Sequence, residues 1–404
     1  MANIVRKIAK SIKDSICKSS SLKYLKKNEK FNKSKKVIFI CQNESVWNKS
    51  KSVFVELKNR GIDCSLLVVN DVIPFKNEKS VFEEEFPDDV ILYKNNILKE
   101  MKPRIVFYTR TYDNYLPKDL STKEVIKHSN IAYIPYFYAN CQGDTQLMGK
   151  RFAYRCKYFF ADQKLIKDSF DSCCQKRIDK GLQYSFLFGY PQFEDELNYL
   201  KKSDLSLSAF TKNKKGLKVM WNPRWTNDEG VGGSNFFKYQ KQMFDLLINN
   251  DKFSFVFRPH PLLFKNFIEK GSMTQEDKDA LLKRIEESTN SVYDNSGNYL
   301  DTMIDCDLLV SDSSSLIPEF ALLGKPVIYC SSDAVVNLAP EFIELLELNY
   351  VADSFEDIEK ELSIILDKKD SKKEKREAYF LKQRKLHENA ISNIASFIEK
   401  ELEK

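Results

Sequence analysis

Short apolar runs alternate with helical stretches along most of the sequence, in two series divided by a polar stretch from Lys201 to Lys215. The fold class this predicts is α/β, with two doubly wound, Rossmann-like domains. Strands that alternate with helices form parallel sheets covered on both faces. The length, 404 residues, exceeds an ordinary single domain and points the same way.

In the first series, Val37–Cys41, Cys64–Val69, Val90–Tyr93, Arg104–Thr109, Asn130–Tyr136 and Phe186–Phe188 read as strands, with a helix over Ser45–Asn59. Gly189-Tyr190-Pro191 closes this half. The second series offers Leu217–Trp221, Phe253–Phe257, Ser291–Tyr293, Asp307–Val310, Pro326–Cys330 and Tyr350–Ala352 as strands. Its helices are expected over Asn235–Asn249, Gln275–Glu287, Tyr299–Ile304, Ser315–Leu323, Glu341–Leu346 and Phe355–Leu366. Residues 370–404 read as one charged helix bracing the two domains. The expected organisation is a basic segment over 1–36, an acceptor-side domain over 37–205, a donor-side domain over 216–368 and the brace over 369–404. Two doubly wound domains joined by a linker make a GT-B architecture, with the ligand cleft between them.

Charge is segregated. Residues 1–36 carry twelve Lys or Arg against Asp14 and Glu29, a local +10, whereas the whole chain is +6. The body is therefore slightly acidic, which argues against nucleic acid as a partner. Ile4, Ile8, Ile12 and Ile16 recur every fourth residue among Arg6, Lys7, Lys10, Lys13 and Lys18. This pattern predicts a basic amphipathic helix suited to an anionic membrane surface. No apolar run is long enough to span a bilayer or to make a secretory leader, so a cytoplasmic, peripheral location is expected. The nine scattered cysteines contain no CxxC pair and read as reduced thiols.

Three segments carry chemistry. The strand Asp307–Val310 runs into Ser311-Asp312-Ser313-Ser314-Ser315, and a helix follows. Backbone N–H groups and hydroxyls at such a turn suit a diphosphate, and Glu319, one helical turn beyond Ser315, is placed for ribose hydroxyls. After Phe253–Phe257 comes Arg258-Pro259-His260-Pro261. The prolines hold His260 at the sheet edge, where it can donate to a phosphate or protonate a leaving group. Arg224, in Trp221-Asn222-Pro223-Arg224-Trp225, follows the first strand of its domain and suits a phosphate. Asp305-Cys306-Asp307 matches an Asp-x-Asp metal signature but opens a buried strand. No metal or other cofactor is expected.

Together these segments resemble the CDP-glycerol glycerophosphotransferase family of teichoic-acid and capsule polymer synthases. The resemblance rests on Asp312, Ser314, Ser315, Glu319, Lys325 and Pro326, on Arg258 to Pro261, and on Gly189-Tyr190-Pro191. It implies a GT-B fold, a CDP-linked donor, and transfer of an alcohol phosphate (glycerol phosphate or ribitol phosphate) to a glycan or lipid-linked acceptor. Arg224, Arg258, Asp312, Ser313, Ser314, Ser315 and Glu319 would bind donor, and His260 would act in catalysis. The family's His-Gly-Thr element, associated with the catalytic base, has no counterpart in Tyr133 to Asn140. Asp113 and Asp144 are the carboxylates put forward instead. Two other readings stay open: a glycosyltransferase using a UDP- or CMP-sugar, and a non-catalytic donor-binding partner at the membrane. A nucleotide-sugar epimerase is a more distant one. His387 is expected to be replaceable.

Overall fold

The computed structural model describes residues 2–42, 44–69, 78–142, 148–200, 215–228, 233–296, 299–335 and 337–404. Asp144, and the expected linker up to residue 214, lie outside the described residues. The chain divides into two compact units: Met1–Tyr138 with Gly143–Asp195 and Leu386–Lys404, and Ala139–Gln142 with Glu196–Lys385.

The first unit is built on seven parallel strands, β1 (Val37–Cys41), β2 (Cys64–Val68), β3 (Val90–Leu92), β4 (Ile105–Tyr108), β5 (Asn130–Tyr133), β6 (Cys156–Ala161) and β7 (Tyr184–Leu187). Their order is β3-β2-β1-β4-β5-β6-β7. β1, β2 and β4 to β6 are buried along their whole lengths, as parallel strands covered on both faces require. Phe39 stacks on Phe107 at 4.3 Å and meets Trp47 and Phe54 edge-on. Each such fully buried ring stabilises the unit by about 1.5–3 kcal/mol.

The second unit has six parallel strands, β8 (Leu217–Asn222), β9 (Phe253–Phe257), β10 (Ser291–Tyr293), β11 (Leu308–Ser311), β12 (Val327–Cys330) and β13 (Tyr350–Ala352), in the order β10-β9-β8-β11-β12-β13. Its core centres on Trp221, Phe236, Phe244 and Phe257. In both units the strand order reverses beside the first strand, between β1 and β4 and between β8 and β11. The crevice over the C-terminal ends of those strands is where doubly wound sheets take ligands.

Several elements differ from the sequence reading. The run 370–404 is two helices, Lys373–His387 and Ala390–Glu403, broken where Asn389 takes a left-handed φ of +75°. The second buries Ile394, Ala395 and Ile398 in the first unit's core. Ser45–Asn59 is likewise two helices, Glu44–Trp47 and Lys51–Asn59. Strand β6 and the helix Lys164–Ile178 after it had no sequence expectation. Lys157 interrupts the apolar run of β6, yet its side chain is buried and paired with Glu29 of the N-terminal helix. Burial lowers its pKa to about 8.

The N-terminal helix, Ala2–Phe31, packs by a face other than its isoleucine stripe. Cys17, Ser21, Leu25 and Asn28 are buried, whereas Ile12 is 55% and Ile16 63% exposed. Polar contacts fix the packed face: Asn28 Nδ2 donates to the carbonyls of Ile126 (2.8 Å) and Ser129 (2.9 Å), and Arg151 pairs with Asp14 at 2.7 Å. This helix is thus part of the first unit's fold. Among the described residues no helix is long and apolar enough to cross a membrane.

Candidate active site

The second unit places the Ser-rich loop directly over its strand switch point. β11 ends at Ser311, and its neighbour β8 ends at Asn222 and leads into Pro223 and Arg224. Ser311 Oγ donates to the Asn222 carbonyl at 2.9 Å, and Asn222 Nδ2 donates to the Arg258 carbonyl at 2.7 Å. The ends of β8, β9 and β11 are tied together, which brings the three sequence motifs to one edge.

Asp312 organises this edge. Its buried carboxylate accepts from Arg224 N (2.8 Å), Asn235 N (3.1 Å) and Asn235 Nδ2 (2.9 Å). Burial raises its pKa to about 6, and the three donors oppose that rise. Asp312 was expected to contact donor; it faces inward and aligns the loops that would do so. Arg224 is also turned to the protein, with Nη1 donating to the Ser313 carbonyl at 2.7 Å. Ser313 is buried, while Ser314 and Ser315 are half-exposed.

The helix after the loop is short, Leu316–Ala321. Ser315 makes no side-chain cap, and Ser314 Oγ accepts the Leu316 N–H at 3.2 Å instead. Anion attraction at this point rests on the loop peptides and hydroxyls, because six residues sum few peptide dipoles. Glu319 is fully buried and accepts from Tyr299 Oη at 2.6 Å. Arg258, expected on the donor, pairs with buried Asp294 at 2.5 Å and bonds the Ser296 carbonyl at 2.8 Å. Its guanidinium lies 5.4 Å from the Tyr299 ring centroid, so it supports the residue that orients Glu319. The Arg258 guanidinium is thus engaged with Asp294 and Ser296 inside the unit.

His260 is largely buried, packed at 6.2 Å from the Trp225 ring, with its Nδ1 accepting the Leu262 N–H at 3.2 Å. Burial, reinforced by the Arg224 charge, lowers its pKa to about 4. The neutral ring therefore carries its proton on Nε2 and offers that group as a hydrogen-bond donor. Lys325 of the motif lies elsewhere, donating to the Cys306 carbonyl at 2.6 Å. Asp305 and Asp307 sit with it at the opposite, N-terminal end of β11, bonded to Lys218.

In the first unit, Asp113 does not stand as a base. Its oxygens accept from Thr122 N (2.7 Å) and Thr122 Oγ1 (2.9 Å) and pair with Arg155 (3.0 Å). The carboxylate is thus tied to Thr122, the first residue of the helix Thr122–Val125, and held by a guanidinium. Beside the switch point, Gln42 Nε2 bridges to the Tyr115 carbonyl at 2.9 Å. Tyr112, Tyr115, Tyr136 and Phe137 cluster there at the ends of β4 and β5, with the Arg110 guanidinium 6.0 Å from the Tyr115 ring centroid.

The sequence reading missed Asn235, Tyr299 and Asn140. A signal existed for the first, since Gly230, Gly232 and Gly233 precede Asn235 between a strand and a helix and mark a loop at the sheet edge. Of these glycines Gly233 is described, with φ +102°, and a Cβ there would lie 2.6 Å from Val335 Cγ2.

The fold has known relatives. The wall teichoic acid polymerase TagF superposes with a TM-score of 0.62 at 12% identity, over 100% of this chain and 98% of that one. UDP-GlcNAc 2-epimerase from Neisseria meningitidis, in complex with UDP-GlcNAc, superposes with a TM-score of 0.55 at 14% identity, over 91% and 99%. Identities this low carry the fold alone, and that fold is the two-domain α/β, GT-B-like class expected from the sequence. No curated protein matches the chain in sequence. The family profile of CDP-glycerol:poly(glycerophosphate) glycerophosphotransferases, by contrast, matches residues 150–393, a stretch holding every donor-side motif described above, and the chain belongs to this family of transferases.

Proposed function

We propose that the protein transfers glycerol phosphate or ribitol phosphate from a CDP-linked donor to a hydroxyl of a cell-surface glycan or lipid-linked acceptor. The acceptor oxygen bonds to the donor's β-phosphorus, the bond to CMP breaks, CMP leaves with the electron pair, and the hydroxyl proton passes to a base. Of the two carboxylates put forward, Asp144 remains the candidate base. Phosphoryl transfer relies chiefly on positioning and charge stabilisation. The observation that carries the reading is the Ser313–Ser315 loop at the switch point, with Arg224 and Asp312 holding it from behind. Ser314 and Ser315 would meet the diphosphate and His260 Nε2–H the oxygen on which charge develops, while Glu319, fully buried and bonded to Tyr299, would act through that neighbour rather than touch the ribose. The Tyr112, Tyr115 and Tyr136 cluster with Arg110 suits the acceptor.

Offering CDP-glycerol, CDP-ribitol, UDP-sugars and CMP-sugars separates this from sugar transfer. CMP release from a CDP-alcohol, with phosphorus retained in the product, is expected. Release only from a nucleotide sugar would reject the assignment. Replacing Ser314 and Ser315 with Ala should weaken donor binding by about 1–3 kcal/mol, the scale of lost charge-assisted hydrogen bonds.

We also propose a peripheral site on the inner membrane face. Ile12 and Ile16 point away from the packed face of the N-terminal helix, on the side that carries Lys23, Lys27 and Lys30. The double substitution Ile12→Glu, Ile16→Glu should abolish binding to anionic vesicles at low salt without lowering Tm. Deleting the helix is the wrong test, since its other face is integral to the first unit. Unchanged vesicle binding by the double variant would exclude this face.

A further inference from the structure

We infer that Asn140 is a positioning residue that sets the peptide orientation of the donor-phosphate loop; the inference rests on the donor site proposed above. After β5 the chain reaches Ala139–Gln142, which belongs to the second unit. There Ala339 N donates to the Asn140 carbonyl at 2.7 Å and Gln142 N to the Asn337 carbonyl at 2.8 Å, while Cys141 bridges antiparallel to Leu338. With its backbone fixed this way, Asn140 is 6% exposed and its Nδ2 donates to the Ser314 carbonyl at 2.8 Å.

The next carbonyl back, that of Ser313, is held by Arg224 Nη1 at 2.7 Å. Two consecutive carbonyls of the loop are therefore gripped by side-chain donors, the Ser314 carbonyl jointly with the Ile317 N–H at 3.2 Å. In a trans peptide the carbonyl and the following N–H point in opposite directions. Holding the Ser313 and Ser314 carbonyls thus turns the N–H groups of Ser314 and Ser315 away from Arg224 and Asn140. Those N–H groups are the backbone donors available to a diphosphate at this loop. Rotation of the Ser314 carbonyl would reverse the polarity of the loop and set an oxygen against the phosphates.

The chemistry specifies an amide. The Asn140 NH2 group attracts the carbonyl, and a carboxylate of the same shape repels it. Asn140→Ala should raise the calorimetric Kd for CDP-glycerol on the order of tenfold, the scale of one lost hydrogen bond in a buried setting. Asn140→Asp should raise it further, although it keeps the side-chain volume. A residue that merely braced the chain would give the reverse order, with the isosteric Asp closer to wild type than Ala. In steady state the change should fall on the donor KM more than on kcat, since the group orients binding peptides and touches no reacting atom. Circular dichroism and Tm establish that both variants are folded. Donor affinity in Asn140→Asp equal to or better than in Asn140→Ala would overturn the inference while leaving the donor site standing. Failure of the wild-type protein to bind CDP-glycerol, CDP or CMP would remove the donor site itself, and this inference with it.

Discussion

Replacing His260 with Ala should lower kcat by about 10²–10⁴-fold, the range for a positioned proton donor, with a much smaller loss of donor affinity. The structure narrows how the ring acts. Burial, with the Arg224 charge beside it, lowers the ring's pKa to about 4, so the ring is neutral at pH 7 before donor binds. The Leu262 N–H on Nδ1 leaves Nε2–H as the working donor, so the ring stabilises charge in its neutral form. Two consequences can be measured. His260→Gln, which keeps an N–H donor, should recover part of the rate. The pH profile of kcat should show no His260-dependent fall as pH rises from 6 to 8. A fully active His260→Ala protein would remove the residue from the mechanism. His387, expected from the sequence to be replaceable, is instead built into the fold. Its ring is buried, and its Nδ1 accepts the Tyr190 N–H at 3.0 Å, so truncation there would leave a buried donor without its acceptor.

The contrast between His260 and Arg258 shows what was legible in the sequence. Both belong to one motif, and the prolines around His260 predicted its place at the sheet edge. Nothing local predicted that Arg258 would turn inward to Asp294, 36 residues away. The same holds for Asp312 with Asn235, 77 residues apart, and Asn140 with Ser314, 174 apart. The two alternating series gave the architecture because strand and helix periodicity is a local property. Which motif residues face a ligand depends on partners that only the closed sheet brings near. β6 escaped notice for a related reason: a lysine within an apolar run reads as a solvent-facing break, and Glu29 on a distant helix makes its burial tolerable. Asp113 looked like a free carboxylate for the same want of Thr122 and Arg155.

Asp312 should be the most pH-sensitive element of the donor site. Asp312→Ala leaves Arg224 N, Asn235 N and Asn235 Nδ2 without this acceptor in a buried setting. That should cost about 2–4 kcal/mol of stability in urea denaturation and abolish measurable donor binding. Ionising this carboxyl in the folded protein costs stability relative to its neutral form. Its folded pKa, about 6, lies above the ordinary aspartate value of about 3.9, so its favourable contribution is full below that value and is lost as pH rises through 6. Function runs the other way, because the ionised group accepts the three N–H bonds that align the Arg224 and Asn235 loops most strongly, and protonation sets a hydrogen on an oxygen that these donors already face. Donor affinity in the wild-type protein should therefore fall as pH drops through about 6, while the fold grows no weaker through this group. Asp312→Asn cannot titrate and still offers one acceptor oxygen, so it should keep most of the stability and bind donor weakly at every pH. Persistence of the acid limb near pH 6 in Asp312→Asn would assign that limb to another group and leave Asp312 as a structural cap alone.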